Sequence, residues 1–325
     1  MKRPHLWFIV QAAVSITLLT VLMRSLDLGA LRALFVRLPL WFYGASLAVV
    51  LAGQVVYAWR WRLLLVAAGV QAPFSLVLRQ YFIGIFLNNF FPSTVGGDVA
   101  KVYLLGREHG YRPVTASVLL DRILGLGLLA LCATVVLWSV AMPAPVLVAA
   151  RVAVTAIAAA SVVVLVIAAV GTGGLPGRLA WLGPGAVALA ERIQRLRFDM
   201  AASLNRPALV AQALVVVAGY FIAVGAVYVG FVEIQNAGAP PLALTTGIAM
   251  AISLLSNVPV SLNGLGLREQ LHATLLLPLG IAPEIAVGLS LLLYGHLVVA
   301  SLIGLVVWSR MGFVMNDAPT AQSTR

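Results

Sequence analysis

Six stretches of this chain are apolar for long enough to cross the hydrocarbon core of a bilayer, which takes about 20 helical residues. They lie at approximately 5–23, 40–59, 113–141, 146–170, 207–232 and 284–309. Inside lipid every backbone N–H and C=O must find a partner within the protein, so continuous apolar runs of this length read as helices. The composition agrees: the chain is 62% hydrophobic and 10% charged, where a soluble domain carries about 25% charged residues. The expected fold is all-α, one polytopic transmembrane domain over 1–325. Lys2 and Arg3 precede the first run, but no small-residue cleavage site follows it, so that run is expected to be a span rather than a leader.

Two regions between the spans are interrupted by residues that a bilayer tolerates only where protein or a cavity surrounds them. The segment 76–110 contains NNFFPSTVGGDVAK (88–101), and 242–280 contains SNVPVSLNGLGLRE (256–269). Aligning Pro92 with Pro259 sets Gly97 opposite Gly264 and Lys101 opposite Arg268, a constant offset of 167 residues. Each half of a broken segment is about 12–18 residues, short for spanning, which predicts two re-entrant broken helix pairs beside the six full spans. Residues 5–141 and 146–309 are then expected to be inverted-topology repeats, with 311–325 a flexible cytoplasmic tail. Both connectors carry apolar residues at helical spacing (Leu28, Leu31, Leu34, Phe35 and Leu38; Leu189, Ile193, Leu196 and Met200), which suggests short amphipathic helices on each membrane face.

Charge gives orientation. With the N-terminus inside, fourteen Lys and Arg fall on the cytoplasmic side, Arg60, Arg62, Arg79, Arg107 and Arg112 among them, and four fall outside (Arg24, Arg32, Arg37 and Arg151). This asymmetry puts both termini in the cytoplasm of a bacterial-type inner membrane. It also accounts for the net charge of +11, so no nucleic-acid partner is expected. Trp7, Trp41, Trp59, Trp61 and Trp308 sit near span ends, as an aromatic belt requires.

Six ionisable residues fall within the membrane region: Asp98, Lys101, Asp121, Arg122, Arg268 and Glu269. Arg122 lies ten residues beyond Arg112, about 15 Å deep. Asp121 and Arg122, adjacent on a helix, point about 100° apart and need partners from elsewhere. The candidates are Lys101 with Asp121, Arg122 with Glu269 or Asp98, and Asp98 with Lys101 along one helix. Ser93, Thr94, Ser261 and Asn263 are suited to cap the helices that restart at each break. Gly96, Gly97, Gly264 and Gly266 permit tight turns, and Asn88, Asn89 and Asn257 offer amide donors. Helix N-termini and cations converging on the centre favour an anion. The competing expectation is a charge network that only clamps the two halves together.

Other chemistries have little support. His5, His109, His272 and His296 are too scattered for a metal site; no metal or cofactor is expected. His296 reads as a satisfied core histidine, His109 and His272 as interfacial. The single Cys132 forms no intrachain disulfide. Nucleotide, kinase and zincin motifs are missing.

The pattern N-x2-P-x3-GGD-x2-K, followed by LLDRILGLG (119–127) and P-x4-GLGLRE, resembles the transmembrane region of lysylphosphatidylglycerol synthases, a flippase-like family with stand-alone members and glycosyltransferase-associated domains. The first motif there more often ends in an acidic residue and Arg, and the third-span motif often begins with Glu; Asp98, Lys101 and Asp121 fill those places here. The fused members carry a soluble aminoacyl-transferase domain. This chain ends soon after its last predicted span, so lipid aminoacylation is not expected of it, and it is read as no enzyme. What the resemblance implies is translocation of an anionic phospholipid or lipid-linked (polyprenyl) phosphate or glycolipid. Lys101, Arg122, Arg268 and the residues of the two breaks would bind it, with Asp98, Asp121 and Glu269 pairing or gating. The alternative is an accessory scaffold for a glycosyltransferase or phospholipid synthase partner. A membrane-embedded enzyme using Asp98, Asp121 or Glu269 as acid–base groups ranks below both.

Overall fold

The computed structural model describes residues 3–90, 96–141, 144–170, 206–258 and 260–310, with scattered positions between 181 and 201. The chain is all-α, with no strand among the described residues. The helices are α1 (Arg3–Ser25), α2 (Leu28–Arg37), α3 (Leu40–Ala67), α4 (Phe74–Phe90), α5 (Gly96–His109), α6 (Tyr111–Ser139) and α7 (Pro145–Val170). They continue with α8 (Pro207–Ile234), α9 (Leu242–Leu255), α10 (Leu267–Leu276) and α11 (Pro283–Arg310). Five of these, α3, α6, α7, α8 and α11, are each long and apolar enough to cross a membrane. Ile9–Arg24 and Leu28–Arg37 meet that standard only together, as a pair bent by 86°. This is a polytopic helical membrane protein.

Local chemistry sets the boundaries. Asp27 caps α2, its Oδ1 accepting from the N–H of Gly29 at 2.7 Å and of Ala30 at 3.1 Å, groups that a helix start leaves unpaired. The buried face of α2, Leu31 and Leu34, bears on Gly288 of α11, as the amphipathic pattern predicts. The matching connector positions Leu189, Ile193 and Leu196 lie outside the described residues, as does 311–325. Both interrupted segments are helix pairs: α4 and α5 have 17 and 14 residues, α9 and α10 have 14 and 10.

Association within a bilayer depends on close packing at small residues, because lipid is as apolar as the helices. Here α4 packs along α11, where a Cβ on Gly304 would stand 2.1 Å from the Phe82 carbonyl oxygen. Helix α9 packs along α6 and α8, and at Gly225 a Cβ would meet Thr246 Oγ1 at 2.1 Å. Helices α3 and α8 cross at Gly53, beneath the Tyr220 ring. These contacts bring the C-terminal ends of α4 and α9 toward each other, and the polar residues gather there.

Two positional expectations are corrected. Trp61 is no belt residue: it is 1% exposed, and its indole N–H donates to Ser117 Oγ at 3.2 Å. His272 is likewise interior rather than interfacial, at 1% exposed. His296 meets Ser46 Oγ through Nε2 at 2.8 Å, the partner a core histidine requires.

Candidate functional site

The first break is organised by the close approach of α4 and α5. A Cβ on Gly97 would lie 2.0 Å from the Gly84 carbonyl oxygen, so position 97 must lack a side chain, and one on Gly84 would press on Lys101 Cε at 2.7 Å. Asn88 then reaches across, its Oδ1 accepting from the Gly97 N–H at 2.8 Å. The start of α5 thus receives an amide oxygen and, in its first turn, Asp98, which between them offset the positive end of the helix. Asp98 is shared: Lys101 Nζ lies 3.4 Å away, and Arg122 of α6 contacts its other oxygen through Nε. The Lys101 ammonium also faces the rings of Tyr81 at 4.2 Å and Trp61 at 5.4 Å, a favourable cation–π setting.

Asp121 pairs with Arg60 of α3, not with Lys101 as the sequence suggested: Nε to Oδ1 is 2.8 Å, with both side chains buried. Gly125, one turn along α6, makes this possible, since a Cβ there would stand 2.6 Å from Arg60 Nη2. Arg60 therefore belongs to the interior rather than to the cytoplasmic surface. The signal for it was Asp121 itself, whose own helix offers it no cation one turn away. Arg122 meets Asp98 and not Glu269, whose cation is the neighbouring Arg268 at 3.1 Å.

The second break takes a different form. Asn263, Gly264 and Gly266 have φ of 49°, 75° and 81°, left-handed values that suit asparagine and glycine. Helix α10 starts at Leu267, and Glu269 Oε2 accepts from the Gly266 N–H at 2.7 Å. Ser261 and Asn263, expected as caps, lie ahead of that start, and the Glu269 carboxylate does the work. Its other oxygen accepts from Arg268 and from Ser290 Oγ, the latter at 3.3 Å. His272 completes the cluster, with Nδ1 at 2.8 Å from the Arg268 carbonyl oxygen and Nε2 at 2.6 Å from the Tyr228 hydroxyl.

The two breaks touch. Asn263 donates to Asn89 Oδ1, and Asn89 donates in turn to Ser301 of α11. Around this junction are three cavities of about 260, 380 and 470 Å³, all lined in part by Asn88, Ser253 and Asn257. Lys101 and Arg122 line the smallest, Arg268 the middle one, and Arg122 with Arg268 the largest. Of the sequence-derived candidates, Asn88, Asn89, Asp98, Lys101, Asp121, Arg122, Asn257, Asn263, Gly264 and Arg268 line one or more of these cavities. Gly97, Gly266 and Glu269 shape the walls from behind, and Gly96 is the first residue of α5. Ser93 and Thr94, with Pro92 and Pro259, lie outside the described residues. With Arg60 included, four cations meet three carboxylates, Asp98, Asp121 and Glu269.

A family model described as the lysylphosphatidylglycerol synthase TM region matches residues 8–308. The chain belongs to this family. A UPF0104 membrane protein of Pyrococcus horikoshii is 30% identical over 115 residues, 34% of this chain and 34% of that relative. The aligned stretch thus spans about a third of that relative's length. No solved structure matches the chain. For this member of the lysylphosphatidylglycerol synthase TM region family, the LLDRILGLG motif has a plain structural meaning. Asp121 and Gly125 form the socket for Arg60, and Gly127 packs on Ser161 of α7.

Proposed function

We propose that this protein is a flippase-like transporter of the bacterial-type inner membrane. Its substrate would be an anionic phospholipid or a lipid-linked (polyprenyl) phosphate or glycolipid. The observation that carries this reading is the group of adjoining polar cavities where the two broken segments meet, with one more cation than carboxylate around them among the described residues. Charge within a membrane-spanning bundle is costly unless it faces protein, water or a ligand. A phosphate headgroup would balance the excess while its acyl chains stay in lipid. The asymmetry of Lys and Arg supports cytoplasmic termini. Movement would be downhill, ion-coupled or driven by a partner, and the protein itself would catalyse no bond change.

The rival reading, a scaffold for a separate glycosyltransferase or phospholipid synthase, draws on the same charges. Each of the three carboxylates already contacts a cation, as a structural clamp would have it. Reconstitution separates the two. In proteoliposomes, labelled phosphatidylglycerol is expected to cross at least ten times faster than in empty vesicles, with phosphatidylcholine little changed. Arg122→Gln and Arg268→Gln together are expected to abolish that difference in a folded protein. Full transport by the double variant removes these cations from the mechanism, and vesicles that never transport anionic lipid favour the scaffold.

A further inference from the structure

The two breaks differ as anion sites, and we propose that the oxyanion is held at the second: the 470 Å³ cavity is a phosphate-binding chamber built by Arg122, Arg268, Ser256 and Ser261. Lys101, the cation that sequence symmetry pairs with Arg268, is an internal counter-ion instead. The transport reading enters only in naming the source of the phosphate as a lipid headgroup.

Three observations separate the sites. The first is the sign of the lining. The 260 Å³ cavity sets Asp98 and Asp121 beside Arg60, Lys101 and Arg122, whereas no Asp or Glu is among the described residues lining the 470 Å³ cavity, which Arg122, held to Asp98 through Nε, lines as well. The second is the state of the cations. Lys101 is enclosed by Asp98 and by the faces of Tyr81 and Trp61, so reaching a ligand means leaving all three. Arg268 also lies over a ring, that of Tyr294 at 4.3 Å, and gives Nε and Nη2 to Glu269, but stacking leaves its edge open and the Nη1 donors have no protein partner among the described residues. A planar guanidinium anchored along one edge is suited to present the other to phosphate.

The third observation is a pair of unsatisfied hydroxyls. Ser256 Oγ and Ser261 Oγ are buried without a hydrogen-bond partner, and both residues line this cavity. Such groups are uncommon and costly. The left-handed turn at Asn263 and Gly264 explains their proximity to the chamber, since it folds back until a Cβ on Gly264 would stand 3.1 Å from the Ser256 carbonyl oxygen. Rotation about Cα–Cβ lets each serine donate to an oxyanion between the two arginines. With a water occupying about 30 Å³, the chamber holds a phosphate and several waters.

The test is equilibrium binding to the full chain in phosphatidylcholine nanodiscs, using inorganic phosphate and, separately, dihexanoyl-phosphatidylglycerol. Ser256→Ala with Ser261→Ala is expected to weaken binding about five- to tenfold, Arg268→Gln at least thirtyfold, and Lys101→Gln less than threefold. Because Arg268→Gln strands Glu269 and can prevent folding, the uncharged serine pair carries the decision, with folding checked by thermal unfolding. Wild-type affinity in the folded serine variant overturns the chamber, as does a Lys101→Gln loss equal to that of Arg268→Gln, or no binding of either probe to the wild type. Binding of the short-chain lipid alone supports the chamber with a lipid headgroup as its ligand. Equal binding of inorganic phosphate supports it as a general phosphate site. Serine-dependent binding in a protein that moves no lipid would sink the transport reading and leave the chamber standing.

Discussion

On α6, the carboxylate of Asp121 has Ser117, Val118, Leu124 and Gly125 as its neighbours one turn away, none of them a cation. Burying it therefore obliges another helix to supply the counter-charge, and α3 does so with Arg60 at 2.8 Å. The need for a partner was legible in the sequence, but its identity was not. Arg60 stands in a run of alternating Trp and Arg at the end of an apolar stretch, where positive residues ordinarily mark the membrane surface. Only the extension of α3 to Ala67 carries the arginine inward. Removing one member of a buried pair costs about 3–5 kcal/mol, because the other is left charged and alone. Arg60→Gln and Asp121→Asn are each expected to lower thermal stability in detergent by that order, and the double variant by clearly less than their sum. Additive losses would mean that the two side chains do not depend on each other.

At the scale of the helix, the breaks were visible as proline and glycine in an apolar chain, yet the task of each glycine was not. Gly97 matters because of Gly84, a residue inside an ordinary apolar run, and no local pattern links them; the contact arises only when α4 and α5 fold together. Gly264 matters instead for its own backbone, at φ 75°. The capping signals misled for a related reason. Ser261 and Asn263 are good caps in isolation, but Asn263 is taken up in the left-handed turn, Ser261 stands extended ahead of it, and Glu269 takes the Gly266 N–H. These roles imply different costs. Gly97→Ala places a methyl 2.0 Å from a backbone oxygen and is expected to cost about 3 kcal/mol, the upper end for overpacking. Gly264→Ala is expected to cost about 1–2 kcal/mol through backbone strain. Gly219→Ala in α8 has nothing within 4 Å of the new Cβ and is expected to stabilise by about 0.5–1 kcal/mol. Thermal unfolding of the three variants in one detergent checks the order, and a Gly97→Ala protein as stable as Gly219→Ala would refute the close approach.

For the whole molecule, the informative relation is an exchange of partners. The broken pair near the start of the chain lays α4 on α11, the last long helix, while the later pair lays α9 on α6, the long helix that closes the first half. Two inverted repeats whose broken segments enter from opposite faces would produce such an exchange, and the contact of Asn89 with Asn263 is where their tips would meet. The offset of 167 residues was legible in the sequence; the exchange was not, since it depends on contacts between residues far apart in the chain. The arrangement fixes which chain ends share a membrane face. If α4 and α5 turn back, residues before α4 and after α5 lie on the cytoplasmic side; if α9 and α10 do the same from outside, their flanks lie opposite. In a Cys132→Ala background, which removes the one native thiol, Gln71→Cys and Glu108→Cys are expected to react with an impermeant maleimide only from the cytoplasmic face. Glu233→Cys and Leu277→Cys are expected to react only from the other. These sites are exposed on the protein surface, and each is required to label after detergent solubilisation, so that a failure to label in the intact membrane reports the side rather than burial. Reaction of Gln71→Cys and Glu108→Cys from opposite faces would make α4 and α5 one crossing. The segments could not then meet tip to tip from opposite faces, and the inverted repeat would fall with the re-entrant pair.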